Sequence, residues 1–393
     1  MKQVYLDHCA TTPIDPRVLE AMVPYFSGEY GNASSVHRYG RKARQALEES
    51  RETIAQFIGA QYDELFFTSG GTESDNHAIY GVARSSRDRG GSKIITTAVE
   101  HHAVLDSVNS LKLEGIIPTI VGVDNYAVVD CDHIQKELDG KVSLVSVVHA
   151  NNEVGTIEPL KAIAACCKDR GIVVHTDAVQ SVGKIPVDIR ELGVDLLSIS
   201  AHKMYGPKGI GAIFIRKGTK IDSFMKGGAQ ESNRRAGTEN VPLAVGFAKA
   251  VEICAKQMED DGKRMFRLKE LLRKGIAGRF DGIVFNGHPT NSLPHVLNVS
   301  FDSSKQRVDG EALIMGLDLH GIAVTSGSAC ASGSLQPSHV LLAMGRDEAT
   351  ARATIRFSLG RGTTEDEIQY TVEALQDVVD QAVKSQREKA DGR

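Results

Sequence analysis

Leu65-Phe66-Phe67 runs directly into Thr68-Ser69-Gly70-Gly71-Thr72, and a helical pattern follows through Ile79 and Val82. A short apolar run reads as a buried strand, and paired glycines mark the turn that opens the helix. The same unit recurs along the chain. Ile94-Ile95 is a strand with a helix after it, His102 to Leu113. Val142 to Val148 is a β-branched strand ending in Ala150-Asn151-Asn152, followed by a helix from Leu160 to Arg170 that Gly171 stops. Ile172-Val173-Val174 leads to Asp177, and Leu196 to Ile199 leads into Ser200-Ala201-His202-Lys203. This alternation predicts an α/β fold, a mostly parallel sheet covered by helices on both faces.

Outward from that unit, Asp15-Pro16 reads as an N-cap with proline at the first helical position, and Arg41 to Ile58 as a helix ended by Gly59. After about residue 255 the character changes. A charged helix (Asp260 to Lys274) leads to a strand at His295 to Phe301, and Ile355-Arg356-Phe357 is another. Thr364 to Glu367 is a capping box opening a last helix with Ile368, Val372, Leu375 and Val379 on one face. The expectation is a large domain over 15–255 and a smaller α+β domain made of 1–14 and 256–393.

The chain has 393 residues, 41% hydrophobic and 24% charged, which excludes a disordered chain. Lys+Arg 46 against Asp+Glu 50 leaves a net charge of −4, so neither nucleic acid nor an anionic membrane is an expected partner. No run approaches the ~20 apolar residues of a membrane span, and the N-terminus lacks an export signal. Six cysteines (Cys9, Cys131, Cys166, Cys167, Cys254, Cys330) are too sparse for a disulfide scaffold and lack zinc-site spacing. The expected compartment is a reducing cytoplasm, and no intrinsic metal is expected.

The polar residues Gly71-Thr72, Asn152, Asp177, Ser200, His202 and Lys203 all fall at the carboxyl ends of strands, the edge where open α/β sheets bind ligands. Lys203 alone reads as a solvated charge. Beside Ser200, His202 and the helix N-terminus at Gly70-Gly71-Thr72, it reads as an amine next to a phosphate site. A phosphate-anchored aldehyde held by a lysine describes pyridoxal phosphate. Asp177 is either an N-cap or the carboxylate that keeps that cofactor's pyridine nitrogen protonated, and Gln180 shares its face. His101 and His102 read as capping histidines or as a ring stacked on a planar cofactor. Arg356 is a structural ion pair or a grip on a substrate carboxylate. Cys330, in TSGSACASGS, has little apolar packing and suits nucleophilic attack once its pKa is lowered.

The chain resembles the cysteine desulfurases of the NifS/IscS type, fold-type I pyridoxal-phosphate enzymes of the class-V aminotransferase family. The resemblance runs nearly end to end. It is carried by YLDHCATTPIDP (5–16), YGNASS (30–35), FFTSGGTESDN (66–76), VEHHAVL (99–105), HANNEVGTIEP (149–159), HTDAVQSVGK (175–184), SAHKMYGPKGIG (200–211), RRAGTENV (234–241), TSGSACASGSLQPS (325–338) and IRFSLGR (355–361). It implies a seven-stranded, mostly parallel sheet. It makes Lys203 the cofactor-binding lysine, Asp177 the pyridine-nitrogen partner and Gln180 the contact to the phenolic oxygen. Gly71, Thr72, Ser200 and His202 become phosphate ligands, with Thr238 supplied by the second subunit of a homodimer. His101 lies over the ring, Asn152 beside it, and Asn32 and Arg356 meet the substrate carboxylate. Cys330 is the persulfide-forming cysteine, and Cys9 is not the nucleophile.

The implied reaction converts L-cysteine to L-alanine. Lys203 removes the Cα proton, the ring stores the electrons, and the Cys330 thiolate takes the sulfur from the β-carbon. The sulfur then passes to an iron–sulfur scaffold protein or another acceptor, with Cys330 in transient contact with a nascent cluster. Two other readings stand beside it. A selenocysteine lyase or aminotransferase of the same fold would use Lys203, and the aminotransferase would not need Cys330; a non-catalytic scaffold or metal-binding protein would be colourless.

Overall fold

The computed structural model describes residues 2–306, 308–327 and 336–391. Its larger sheet has seven strands in the spatial order Leu65–Thr68, Gly211–Ile215, Leu196–Ser200, Val173–Asp177, Val142–Ser146, Lys93–Thr97 and Ile117–Val121. All neighbours are parallel except Gly211–Ile215, which runs antiparallel to both of its partners. Every residue of Leu196–Ser200 and Val142–Ser146 is buried, as expected of strands covered on both faces. Two strands of this sheet were not named individually from the sequence. Ile117–Val121 is an edge strand with Ile117 and Ile120 exposed, so its pattern is broken, and Gly211–Ile215 hides behind a glycine-rich lead-in.

The helix Gly71–Ser86 starts at the strand's end and buries Ala78, Ile79, Val82 and Ala83 against the sheet. Arg38–Phe57, which begins three residues before the sequence reading placed it, buries Ala43, Leu47 and Ile54 in the opposite layer with Val182, Ile199 and Phe247. At about 25 cal/mol per Å² of apolar surface, each such buried Leu or Ile stabilises the fold by ~1.5–3 kcal/mol relative to exposure.

A second core gathers Val4, Leu6, Leu268, Leu272, Phe301, Leu313, Ile355 and Phe357. Its antiparallel sheet has the order Thr354–Ser358, Val296–Phe301, Ile283–Asn286, and Val4–Tyr5 pairs with Ile322–Ala323. The last helix buries the expected face, Ile368, Val372, Leu375 and Val379. Its capping box is made: Thr364 N–H donates to Glu367 Oε2 (2.9 Å) and Glu367 N–H to Thr364 Oγ1 (3.2 Å). The charged stretch Asp260 to Lys274 is part of one unbroken helix, Val241–Ala277, capped by Asn240. Its first half buries Val241 to Cys254 in one core, and its second half buries Leu268 to Ile276 in the other.

Candidate functional site

Five strand ends meet at one cavity of about 160 Å³, lined by Gly71, Thr72, Asp75, His101, Asn152, Asp177, Gln180, Ser200, His202 and Lys203 among others. The floor turns from strand to helix at Gly70, whose φ of +158° leads the helix N-terminus toward the cavity. The chain is tightly approached here. A Cβ on Gly71 would lie 2.6 Å from Val179 Cγ2, and one on Gly211 would lie 2.7 Å from Gly70 Cα. Glycine lets the backbone N–H groups reach the cavity, where they and the helix dipole favour an anion.

Lys203 sits in the short turn after Leu196–Ser200, and its Nζ donates to two neutral backbone carbonyls, Cys9 (2.5 Å) and Ala10 (2.8 Å). Burial holds its pKa below the usual lysine value, and Arg356 pushes the same way. The result is an amine that loses its proton more easily than a surface lysine, which suits attachment to an aldehyde. The turn is stitched to the N-terminal segment: Thr12 N–H and Oγ1 both donate to the His202 carbonyl (3.1 and 2.9 Å), and Tyr205 N–H donates to Thr12 Oγ1 (2.8 Å).

Asp177 ends its strand buried, with Oδ1 accepting from Val179 N–H at 2.9 Å. Burial raises its pKa, with His101 and Lys203 drawing it back down. Asp75 lies beside it, pushed well up by burial and by Asp177 itself, with His175 Nε2 3.6 Å from its Oδ1. Behind them His175 bridges Ser146 Oγ (2.8 Å) and Ser198 Oγ (3.0 Å), and burial holds it neutral at about 3.

His101 caps its helix through Nδ1, which accepts from Ala103 N–H at 3.1 Å, leaving Nε2 as the protonated nitrogen of the neutral ring. Burial lowers its pKa. His101 therefore caps its helix and also lines the cavity. His202 uses Nδ1 on Thr11 Oγ1 (3.1 Å), and burial lowers it to about 4. Gln180 Nε2 donates to the Cys9 carbonyl at 3.0 Å, the oxygen that also holds Lys203.

Arg356 is buried in Thr354–Ser358 and pairs with Asp7 (Nη2 to Oδ1, 2.7 Å), Thr325 Oγ1 (3.1 Å) and the Asn152 carbonyl (Nη1, 2.9 Å). The ion-pair reading holds, while its Nε is buried with no hydrogen-bond partner among the described residues. Through the Asn152 carbonyl the guanidinium is tied to a residue that lines the cavity.

Not every expected residue is brought here. Asn32 is exposed, with Oδ1 accepting from Ser34 N–H at 2.8 Å. Thr238 is exposed and lines a separate surface depression with Ser69 and Arg235. Cys330 lies outside the described residues. Cys9 buries its thiol 3.6 Å from His295 Nε2, and its carbonyl, not its sulfur, serves the cavity. The sequence reading missed Asp7, Ala10, Asp75 and Thr325. The first two stand in YLDHCATT, but nothing local in that string predicts contacts made across the whole chain. Among the described residues no group of three His, Cys, Asp or Glu could hold a metal, and no helix is long and apolar enough to cross a membrane.

The family model aminotransferase class-V matches residues 4–371, the stretch that contains every residue of this cavity. This chain belongs to the aminotransferase class-V family. Within it, the chain is 48% identical over 379 residues to cysteine desulfurase IscS of Dictyoglomus turgidum, covering 96% of this chain and 95% of that protein. It is 45% identical over 376 residues to the human cysteine desulfurase, covering 95% of this chain and 81% of the relative. A solved NifS-like protein superposes with a TM-score of 0.89 at 38% identity, covering 96% of this chain and all of that one.

Proposed function

We propose that this protein is a cysteine desulfurase that binds pyridoxal phosphate at Lys203, converts L-cysteine to L-alanine and delivers the sulfur, through Cys330, to acceptors in iron–sulfur cluster assembly. The observation that carries the reading is the placement of the Lys203 amine, on two carbonyls, in one cavity with the buried Asp177 and the Gly71 cradle. The residues present fit the cofactor. Gly71, Thr72, Ser200 and His202 would hold its phosphate, Asp177 its ring nitrogen, Gln180 its phenolic oxygen, and His101 and Asn152 its ring. When bound, the cofactor supplies the electron sink that makes Cα acidic and the β-carbon–sulfur bond labile.

The side chains do the rest. Arg356 and Asn32 orient the substrate carboxylate, and Lys203, with its depressed pKa, accepts the Cα proton and returns it. The Cys330 thiolate takes the substrate sulfur as the carbon–sulfur bond breaks, so the products are L-alanine and a persulfide on Cys330. The exposure of Thr238 and Asn32 supports a homodimer in which these residues act on the other subunit's site. The test is Cys330→Ser in the full-length enzyme: the variant should bind the cofactor and L-cysteine but form neither a persulfide nor alanine in repeated turnover. Alanine production at the wild-type rate would overturn the reading.

A further inference from the structure

Within one chain, the phosphate cradle and Thr238 are tied together by a short relay. The segment that leads to Thr238 contains three consecutive left-handed residues, Glu231 (φ 47°), Ser232 (φ 54°) and Asn233 (φ 64°). Side chains with a Cβ are strained in that region. The strain is held because the buried Glu231 carboxylate receives both Arg51 terminal nitrogens (2.6 and 2.8 Å) and the Phe67 N–H (2.8 Å). Arg51 also donates to the Leu65 carbonyl at 2.8 Å, so the segment is fastened to the strand that feeds the cradle.

Arg235 then forks onto Glu73, Nε to Oε1 at 2.8 Å and Nη2 to Oε2 at 3.2 Å. Glu73 follows Thr72 in the cradle helix, and its Oε2 also accepts the Ser69 N–H at 2.8 Å. The side chains are 21% and 9% exposed, so this bidentate pair is not a loose surface contact. One carboxylate thus holds both the turn that binds this chain's phosphate and the arm that carries Thr238.

We propose that the Glu73–Arg235 pair couples the two phosphate sites of the dimer, a role that rests on the reading above in which Thr238 acts across the subunits. A phosphate in one cradle orders Ser69–Thr72 and Glu73; Glu73 fixes Arg235, and Arg235 fixes Thr238 against the other subunit's phosphate. Glu73 and Arg235 are positioning residues, since neither touches the ligand. By linkage the effect is reciprocal between the sites.

The test uses dimers assembled from differently tagged full-length chains, with cofactor release followed by the fall in visible absorbance against a trapping apoprotein. A wild-type chain should release its cofactor about fivefold faster beside a Lys203→Ala partner freed of cofactor than beside a loaded partner. With Arg235→Gln added to that partner, release should be equally fast whether the partner is loaded or empty. Arg235→Lys, which keeps the charge without the fork, should restore part of the difference. Glu73→Gln reads the same pair from its other side if the arginine variant does not fold. Equal release beside loaded and empty partners that retain Arg235 overturns the coupling. A Thr238→Ala homodimer that keeps its cofactor as long as the wild type overturns the cross-subunit reading instead.

Discussion

Lys203 Nζ lies 2.5 Å from the carbonyl oxygen of Cys9, a residue 194 positions earlier in the chain, and Gln180 Nε2 reaches the same oxygen at 3.0 Å. The N-terminal segment therefore orients the Lys203 amine with its backbone. The Cys9 thiol points elsewhere, into packing with Ala150, Leu293 and Val296.

Cys9 and Cys330 should then behave oppositely. Cys9→Ala leaves the carbonyl in place and removes only a buried sulfur, so the expected cost is about 1 kcal/mol of stability with turnover within about twofold of wild type. Cys330→Ala should abolish sulfur transfer while cofactor absorbance stays. Alanine production and persulfide labelling on the two variants check this; loss of transfer in the Cys9 variant alone would reverse the assignment.

Lys203→Ala should purify without the visible absorbance of a covalently held cofactor. Its turnover should fall by about 10³-fold or more, because the base that moves the Cα proton is gone. An absorption spectrum and an alanine assay suffice, and a coloured, active variant would contradict the proposed role.

Gly71→Ala should weaken cofactor retention by about tenfold, the equivalent of ~1.4 kcal/mol of overpacking. The new Cβ would meet Val179 Cγ2 at 2.6 Å and push the cradle off its anion. Reducing Val179 to Ala in the same chain should restore most of the retention, measured by dialysis and absorbance. Failure of that rescue would mean the cradle is not limited by this contact.

Glu158 is buried, with Oε2 accepting the Val129 N–H at 2.9 Å and Oε1 unpartnered among the described residues. Burial pushes it up to about 8, against 4.5 when free. Its folded value lies above its unfolded one, so its contribution is complete below pH 4.5 and is lost as pH rises toward 8, at about 1.4 kcal/mol per pH unit. Glu158→Gln cannot ionise. Its urea midpoint relative to wild type should climb between pH 5 and pH 8, and parallel pH dependences would refute the argument. The buried His149, lowered to about 4 by burial, works at the other end: its contribution is lost as pH falls from 6.5 toward 4.

Much of the site was legible because strand ends carry local signals. Asp177, Ser200, His202 and Lys203 each follow an apolar run, and the paired glycines announce the cradle at Gly71. Asn32 and Thr238 were placed only by resemblance, and both lie on the surface of the single chain, away from the cavity. Asp75 was not singled out. It stands on a helix face among Ser74, His77 and Ala78, where a polar residue looks like any other, and only packing reveals that it is buried beside Asp177.

The amino-acid sequence alone determined the α/β alternation, the capping of the last helix and the chemistry gathered along one sheet edge. Those features depend on apolar periodicity and on turn residues, and both act over a few positions. Tertiary structure decided the Lys203–Cys9 bond, the Arg356–Asp7 pair 349 positions apart, and the Arg235–Glu73 fork across 162. Such contacts depend on the order in which strands are laid side by side, and a backbone carbonyl that accepts a distant lysine imposes no side-chain pattern by which it could be read beforehand.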